Sequence, residues 1–146
     1  MLYFLYLVSC AKYLLKSYIP SENGNNIGII DRKLGVVQDY GKVALLYLNT
    51  MDNTNFNITL VPARDFEFKG ELEIKIDSNN NAVANEIEIV DKNSVVYPFQ
   101  IMYNWFFNTK MIKSGSNCLE LIKNQVKSVN ECDFQNKKQQ FYIDKI

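Results

Sequence analysis

The chain has no histidine, and this absence narrows its chemistry more than any other feature of its composition. Histidine is the side chain whose ordinary titration falls near neutral pH, so the usual general acid–base group is missing. Ser-His-Asp and Cys-His catalysis and every His-based zinc site are excluded with it. Net charge is missing too: 16 basic and 16 acidic residues cancel, so no overall field would recruit nucleic acid or an anionic membrane. Cysteine is sparse, three in 146 residues with no Cys-x-x-Cys pair, which removes zinc-ribbon and thioredoxin-type motifs. No apolar run is long enough to cross a bilayer as a helix. These absences point to a non-enzymatic protein with no cofactor, no bound metal, no nucleic-acid partner and no membrane span.

What is present begins with "MLYFLYLVSCA" at residues 1–11. A short apolar stretch followed by Ser9-Cys10-Ala11 has the small residues expected before a signal-peptide cleavage, here ahead of Lys12. The stretch lacks a basic residue at its start, and a buried first strand is the competing reading. Cleavage would remove Cys10 and leave Cys118 and Cys132, with thirteen residues between them. In a secreted chain such a pair reads as a disulfide, against the alternative of two buried free thiols.

From Lys12 onward the pattern is that of a single all-β domain, residues 12–146. Apolar residues alternate in "VALLYL" (43–48), "ELEIKI" (71–76) and "EIEIV" (86–90), and turn-forming clusters punctuate them at 21–26, 77–81 and 113–117. A triplet also recurs. Phe-x-Ile stands at Phe56, Phe99 and Phe141, spaced 43 and 42 residues apart. Upstream of each lies a polar turn and an x-apolar-x-apolar segment: "NIGI" (26–29), "ELEI" (71–74) and "CLEL" (118–121). Units that cannot bury their own apolar faces bury them against one another. The expectation is a β-trefoil of three pseudo-repeats of about 42 residues, with the three phenylalanines in a shared core.

The last thirty residues carry a resemblance. "CLEL", then Cys132, then Gln139 and Phe141 of "QQFYI" resemble the final repeat of ricin B-type β-trefoil lectins, which runs Cys-Leu-Asp-Val, Cys, Gln-x-Trp or Gln-x-Phe. The Asn-, Lys- and Ile-rich composition looks like that of short secreted ricin-B-like proteins of microsporidian parasites. The resemblance implies sugar pockets, each with a carboxylate that accepts hydroxyl hydrogen bonds, an aromatic ring that stacks on the pyranose, and an amide near the Gln-x-Phe. Matched position by position, it points to Glu120, Asn130 and Gln139 in the third repeat and Glu73 in the second. The sequence also departs from that pattern. Asn130 stands where a ring belongs, Lys138 where an Asn belongs, and Gly28 where the first repeat's acid belongs, and Gln139 also has the reading of a structural residue that bonds turn backbone.

Three other features bear on function. The segment "YPFQIMYNWFF" (97–107), with the only tryptophan, Trp105, reads as core packing between repeats, against the alternative of a partner-binding patch or a sugar platform. Asn57 opens an Asn-Ile-Thr sequon inside a predicted strand. Arg64, beside Pro62, is where a protease-inhibiting trefoil could present a basic residue. Taken together, the sequence predicts a secreted carbohydrate-binding protein whose partners are glycans or glycoproteins. A trefoil that packs against a structural partner protein in a spore wall or polar tube is the alternative, and a protease inhibitor is the third reading.

Overall fold

The computed structural model describes residues 11–39, 42–50, 52–62, 72–87 and 96–146. Residues 1–10 and Arg64 lie outside them. Twelve strands carry the described chain: β1 (Tyr13–Ser21), β2 (Gly24–Ile30), β3 (Lys33–Val36), β4 (Ala44–Thr50), β5 (Phe56–Pro62), β6 (Leu72–Ile76), β7 (Ala82–Glu86), β8 (Phe99–Asn104), β9 (Thr109–Ser114), β10 (Asn117–Ile122), β11 (Gln125–Val129) and β12 (Phe141–Lys145). A 3-10 turn, Lys137–Gln139, leads into β12.

Alternation explains the strands. In β6, Leu72 and Ile74 are buried while Lys75 is exposed, and in β12 Phe141 and Ile143 are buried on one face. The turns follow from residues that tolerate positive φ. Asp31 and Arg32 join β2 to β3, Lys123 and Asn124 join β10 to β11, and Asn80 and Gly115 serve the turns after β6 and β9.

All strand pairs are antiparallel and belong to one sheet, in the order β10-β11-β3-β2-β1-β12-β9-β8-β5-β6-β7. β4 bridges β1 and β5, and pairings of β10 with β9 and of β3 with β7 join strands distant along that path. The sheet closes on itself as an antiparallel barrel. Its core packs Leu15, Leu46, Leu60, Phe99, Ile112, Leu119 and Phe141, all buried.

The all-β class is what the alternation predicts, but the β-trefoil of three 42-residue repeats is corrected: the protein is one closed antiparallel β-barrel. The register shows why the triplet misled. Phe56 and Phe99 face each other as direct partners on β5 and β8, so they are cross-strand neighbours and not copies related by a repeat. Phe141 pairs instead with Ser17 and Lys110. Phe99 and Phe141 are buried, whereas Phe56 is only half-buried. Paired aromatics are a common stabilising unit of antiparallel sheets, and two strands that face each other can carry similar triplets for that reason alone.

Gly28 and Gly35 are also cross-strand partners, and both are required by close backbone approach. A Cβ at Gly28 would lie 2.1 Å from the Lys42 carbonyl oxygen, and one at Gly35 would lie 2.4 Å from that of Asn124. The missing acid at position 28 is therefore a packing requirement: no side chain fits there.

Candidate functional site

Sequence alternation in β10 places the first functional side chain. Leu119 and Leu121 are buried in the core, which turns the half-buried Glu120 to the opposite face. Beyond β11 the chain folds back through residues 130–136 before entering the 3-10 turn. A disulfide between Cys118 and Cys132, Cα atoms 5.2 Å apart, ties this return segment to the start of β10.

Two amides then lock the segment around the carboxylate. Asn136 caps the 3-10 turn: its side-chain oxygen accepts from the Lys138 N–H at 3.0 Å, and its Nδ2 donates to Glu120 Oε1 at 2.7 Å. Gln139 is 1% exposed. Its Oε1 accepts from the Asp133 N–H at 2.8 Å, while its Nε2 donates to the Glu131 carbonyl at 2.7 Å and to Glu120 Oε1 at 3.2 Å. Each amide has one end fixed by backbone, so the other end must present N–H to the carboxylate. Glu120 Oε1 thus takes two hydrogen bonds, and Oε2 has no hydrogen-bond partner among the described residues.

The result is a shallow hollow of about 350 Å³ lined by Glu120, Val129, Asn130, Glu131, Asp133, Asn136 and Gln139. Every lining side chain except Val129 is polar. Glu120, Asn130 and Gln139, picked out in the sequence, meet here. Glu73 does not: it lies on β6 opposite Thr59 and Asn85 and forms an ion pair with Lys75 at 3.1 Å. Four lining residues, Val129, Glu131, Asp133 and Asn136, are not among those the sequence singles out. Asn136 supplies the amide that was sought one residue before Gln139, and the signal for it is its capping position three residues ahead. Asp133 enters through the loop, for which the sequence carries no periodic cue.

Gln140 is another missed residue. It is fully buried, and its Oε1 accepts from Asn104 Nδ2 at 2.9 Å and Thr109 Oγ1 at 2.7 Å. Its Nε2 donates to the Asn136 carbonyl at 3.1 Å. This side chain fastens the floor of the hollow to the β8–β9 hairpin.

The expectation that residues 97–107 pack wholly in the core is corrected in part. Phe99 is buried, but Tyr103, Trp105 and Phe106 at the β8–β9 turn are exposed. Among the described residues no group of three or more His, Cys, Asp or Glu is arranged to hold a metal ion. No helix among them is long and apolar enough to cross a membrane. No family model matches the chain, and a search of the curated proteins finds no match.

Proposed function

We propose that the protein is a secreted, non-enzymatic carbohydrate-binding protein and that the Glu120 hollow is its sugar site. The observation that carries this reading is the half-satisfied carboxylate. Oε1 is held by Asn136 and Gln139, which orients the group and leaves Oε2 to accept from a ligand hydroxyl. A preorganised acceptor near the exposed amide of Asn130 suits a neutral, hydroxyl-rich ligand, because each sugar hydroxyl that leaves water must find a partner. Asn130, exposed on the rim, can donate to a second hydroxyl. Gln139 acts as a strut: buried and fully bonded, it holds the 131–133 backbone and aims Glu120.

The disulfide fits an oxidising compartment and so supports secretion. The likeness of "CLEL…C…QQF" to ricin B-type lectins adds to the reading from outside the geometry. A glycan array tests it. The wild-type protein is expected to retain at least one neutral glycan of the galactose or mannose type, and Glu120→Ala to release it. A blank array, together with co-purification of a polymeric wall or tube protein, would favour the scaffold reading instead.

A further inference from the structure

The described residues expose four large aromatic side chains: Tyr103, Trp105, Phe106 and Phe134. They come from two segments about thirty residues apart, yet one buried side chain positions both. Asn104 is 1% exposed. Its Nδ2 donates to the Phe134 carbonyl at 2.8 Å and to Gln140 Oε1 at 2.9 Å, and its Oδ1 accepts from the Phe106 N–H at 3.0 Å. The turn bearing Trp105 and Phe106 and the loop bearing Phe134 are therefore stitched to a single amide. Phe134 itself follows Asp133, which lines the Glu120 hollow. Behind the tip, rings continue the contact: Trp105 with Phe106 at 6.1 Å, Phe106 with Phe107 at 4.9 Å, and Phe107 with Tyr18 at 5.3 Å.

Exposed rings on backbone held by a saturated buried network are an unusual use of structure. Besides joining Asn136 to the β8–β9 hairpin, the network fixes the backbone that carries the rings. Such rings offer large contact area with little further loss of freedom on binding.

We propose that this aromatic face is an extension of the Glu120 site, so that the ligand is an oligosaccharide that leaves the hollow past Phe134 and lies across Trp105 and Phe106. The proposal rests on the reading of the hollow as a sugar site. Asn104 joins the backbone of Phe134, next to Asp133 of the hollow, to the turn that bears Trp105 and Phe106. Charge favours a neutral sugar over an anionic bilayer, because the acidic Glu131 and Asp133 and the basic Lys137 and Lys138 cancel within residues 131–138. The polar groups beside the rings are also those a glycan uses. Tyr103 Oη donates to Asn108 Oδ1 at 2.7 Å, which leaves the Asn108 amide N–H groups for sugar oxygens. A pyranose has an apolar C–H face to lay on a ring and hydroxyls around its edge for such amides.

Because Trp105 is the only tryptophan, its fluorescence reports on the face directly. The full chain is titrated with galactose and mannose and with galactotriose and mannotriose, by fluorescence and calorimetry. The expected result is that a trisaccharide binds more tightly than its monosaccharide and shifts Trp105 emission, while the monosaccharide does not shift it. Trp105→Ala and Phe134→Ala, both at exposed positions, are expected to weaken the trisaccharide about tenfold and leave the monosaccharide unchanged. Trp105→Phe should recover part of the loss. Glu120→Ala should abolish both. If a monosaccharide binds through Glu120 and its trisaccharide gains nothing, the extension is wrong and the sugar site stands. If neither sugar binds, both are wrong. If Trp105→Ala changes only vesicle binding or self-association, the face serves a bilayer or a second copy and the proposal is overturned.

Discussion

Glu120 stands mid-strand on β10 with one oxygen held by two amides, and this determines how its neighbours respond to substitution. Asn136→Ala removes both the cap of the 3-10 turn and one bond to the carboxylate. Loss of a cap of this kind costs about 1 kcal/mol, so the variant should fold, melt a few degrees lower and bind sugar more weakly. Gln139→Ala is more severe. The Asp133 N–H and the Glu131 carbonyl each lose a bond worth about 1 kcal/mol, Glu120 Oε1 keeps only Asn136, and a buried side chain leaves a void. Thermal denaturation should therefore show a larger drop than for Asn136→Ala. Equal drops would contradict the role of Gln139 as the strut. On β3, which pairs with β11, Gly35→Ala drives a methyl into the Asn124 carbonyl of the β10–β11 turn. The expected cost is about 2 kcal/mol or more, measurable as an earlier urea midpoint.

Turns and hairpins carry the acid response. The turn after β6 closes on Asp77, whose carboxylate accepts from the backbone N–H groups of Asn81 and Asn79 at 2.8 and 2.9 Å and from the Asn81 side chain at 3.2 Å. These bonds, the Asn81 N–H foremost, hold Asp77 below its ordinary value of 3.8. Asp52 is lowered likewise by the N–H groups of Asn55 and Thr54. A carboxyl whose value is depressed by folding contributes stability above the unfolded value and loses it as the pH falls through the folded one. Melting temperature should therefore decline below pH 3.8, and Asp52→Asn with Asp77→Asn should flatten that slope. The Asp77 turn also couples hairpins, since the Asn80 carbonyl accepts from the Ser128 N–H of β11 at 2.7 Å. The disulfide acts at the same scale. It closes a loop 14 residues apart in sequence, worth about 3 kcal/mol through the unfolded chain. Reduction should lower stability by that order and release the 130–133 segment that walls the hollow.

Over the whole molecule, strand content, turn sites and much of the hollow were legible in the sequence. Alternation in residues 72–76 and 118–121 gives β6 and β10, and the clusters of Asn, Gly and Ser fall at turns. Glu120, Asn130 and Gln139 were found because one resemblance covered a contiguous thirty residues. What could not be read depended on register. Phe56 and Phe99 look like repeats in the sequence and are partners across β5 and β8, a relation no spacing reveals. β7 (Ala82–Glu86) carries too weak an alternation in "AVANE" to be read from the sequence, and residues 88–90 of the "EIEIV" segment lie outside the described residues. Asn136, Gln140 and Asn104 act through hydrogen bonds that reach up to 36 residues along the chain, and polar side chains leave no periodic trace of such partners. The exposure of Trp105 escaped for a related reason. An aromatic run was read as core, whereas Asn104 turns its end outward.

The central claim is that Glu120, aimed by the side-chain amides of Asn136 and Gln139, forms a sugar site with Asn130. Side-chain amide signals in a nitrogen–proton NMR spectrum test this most directly, with unlabelled galactose or mannose, or their trisaccharides, added to labelled full-length protein. The account predicts that the Asn136 and Gln139 side-chain amide resonances shift on titration with at least one of these sugars and stay fixed in Glu120→Ala. Shifts confined to distant strands, or none with any sugar, would contradict it.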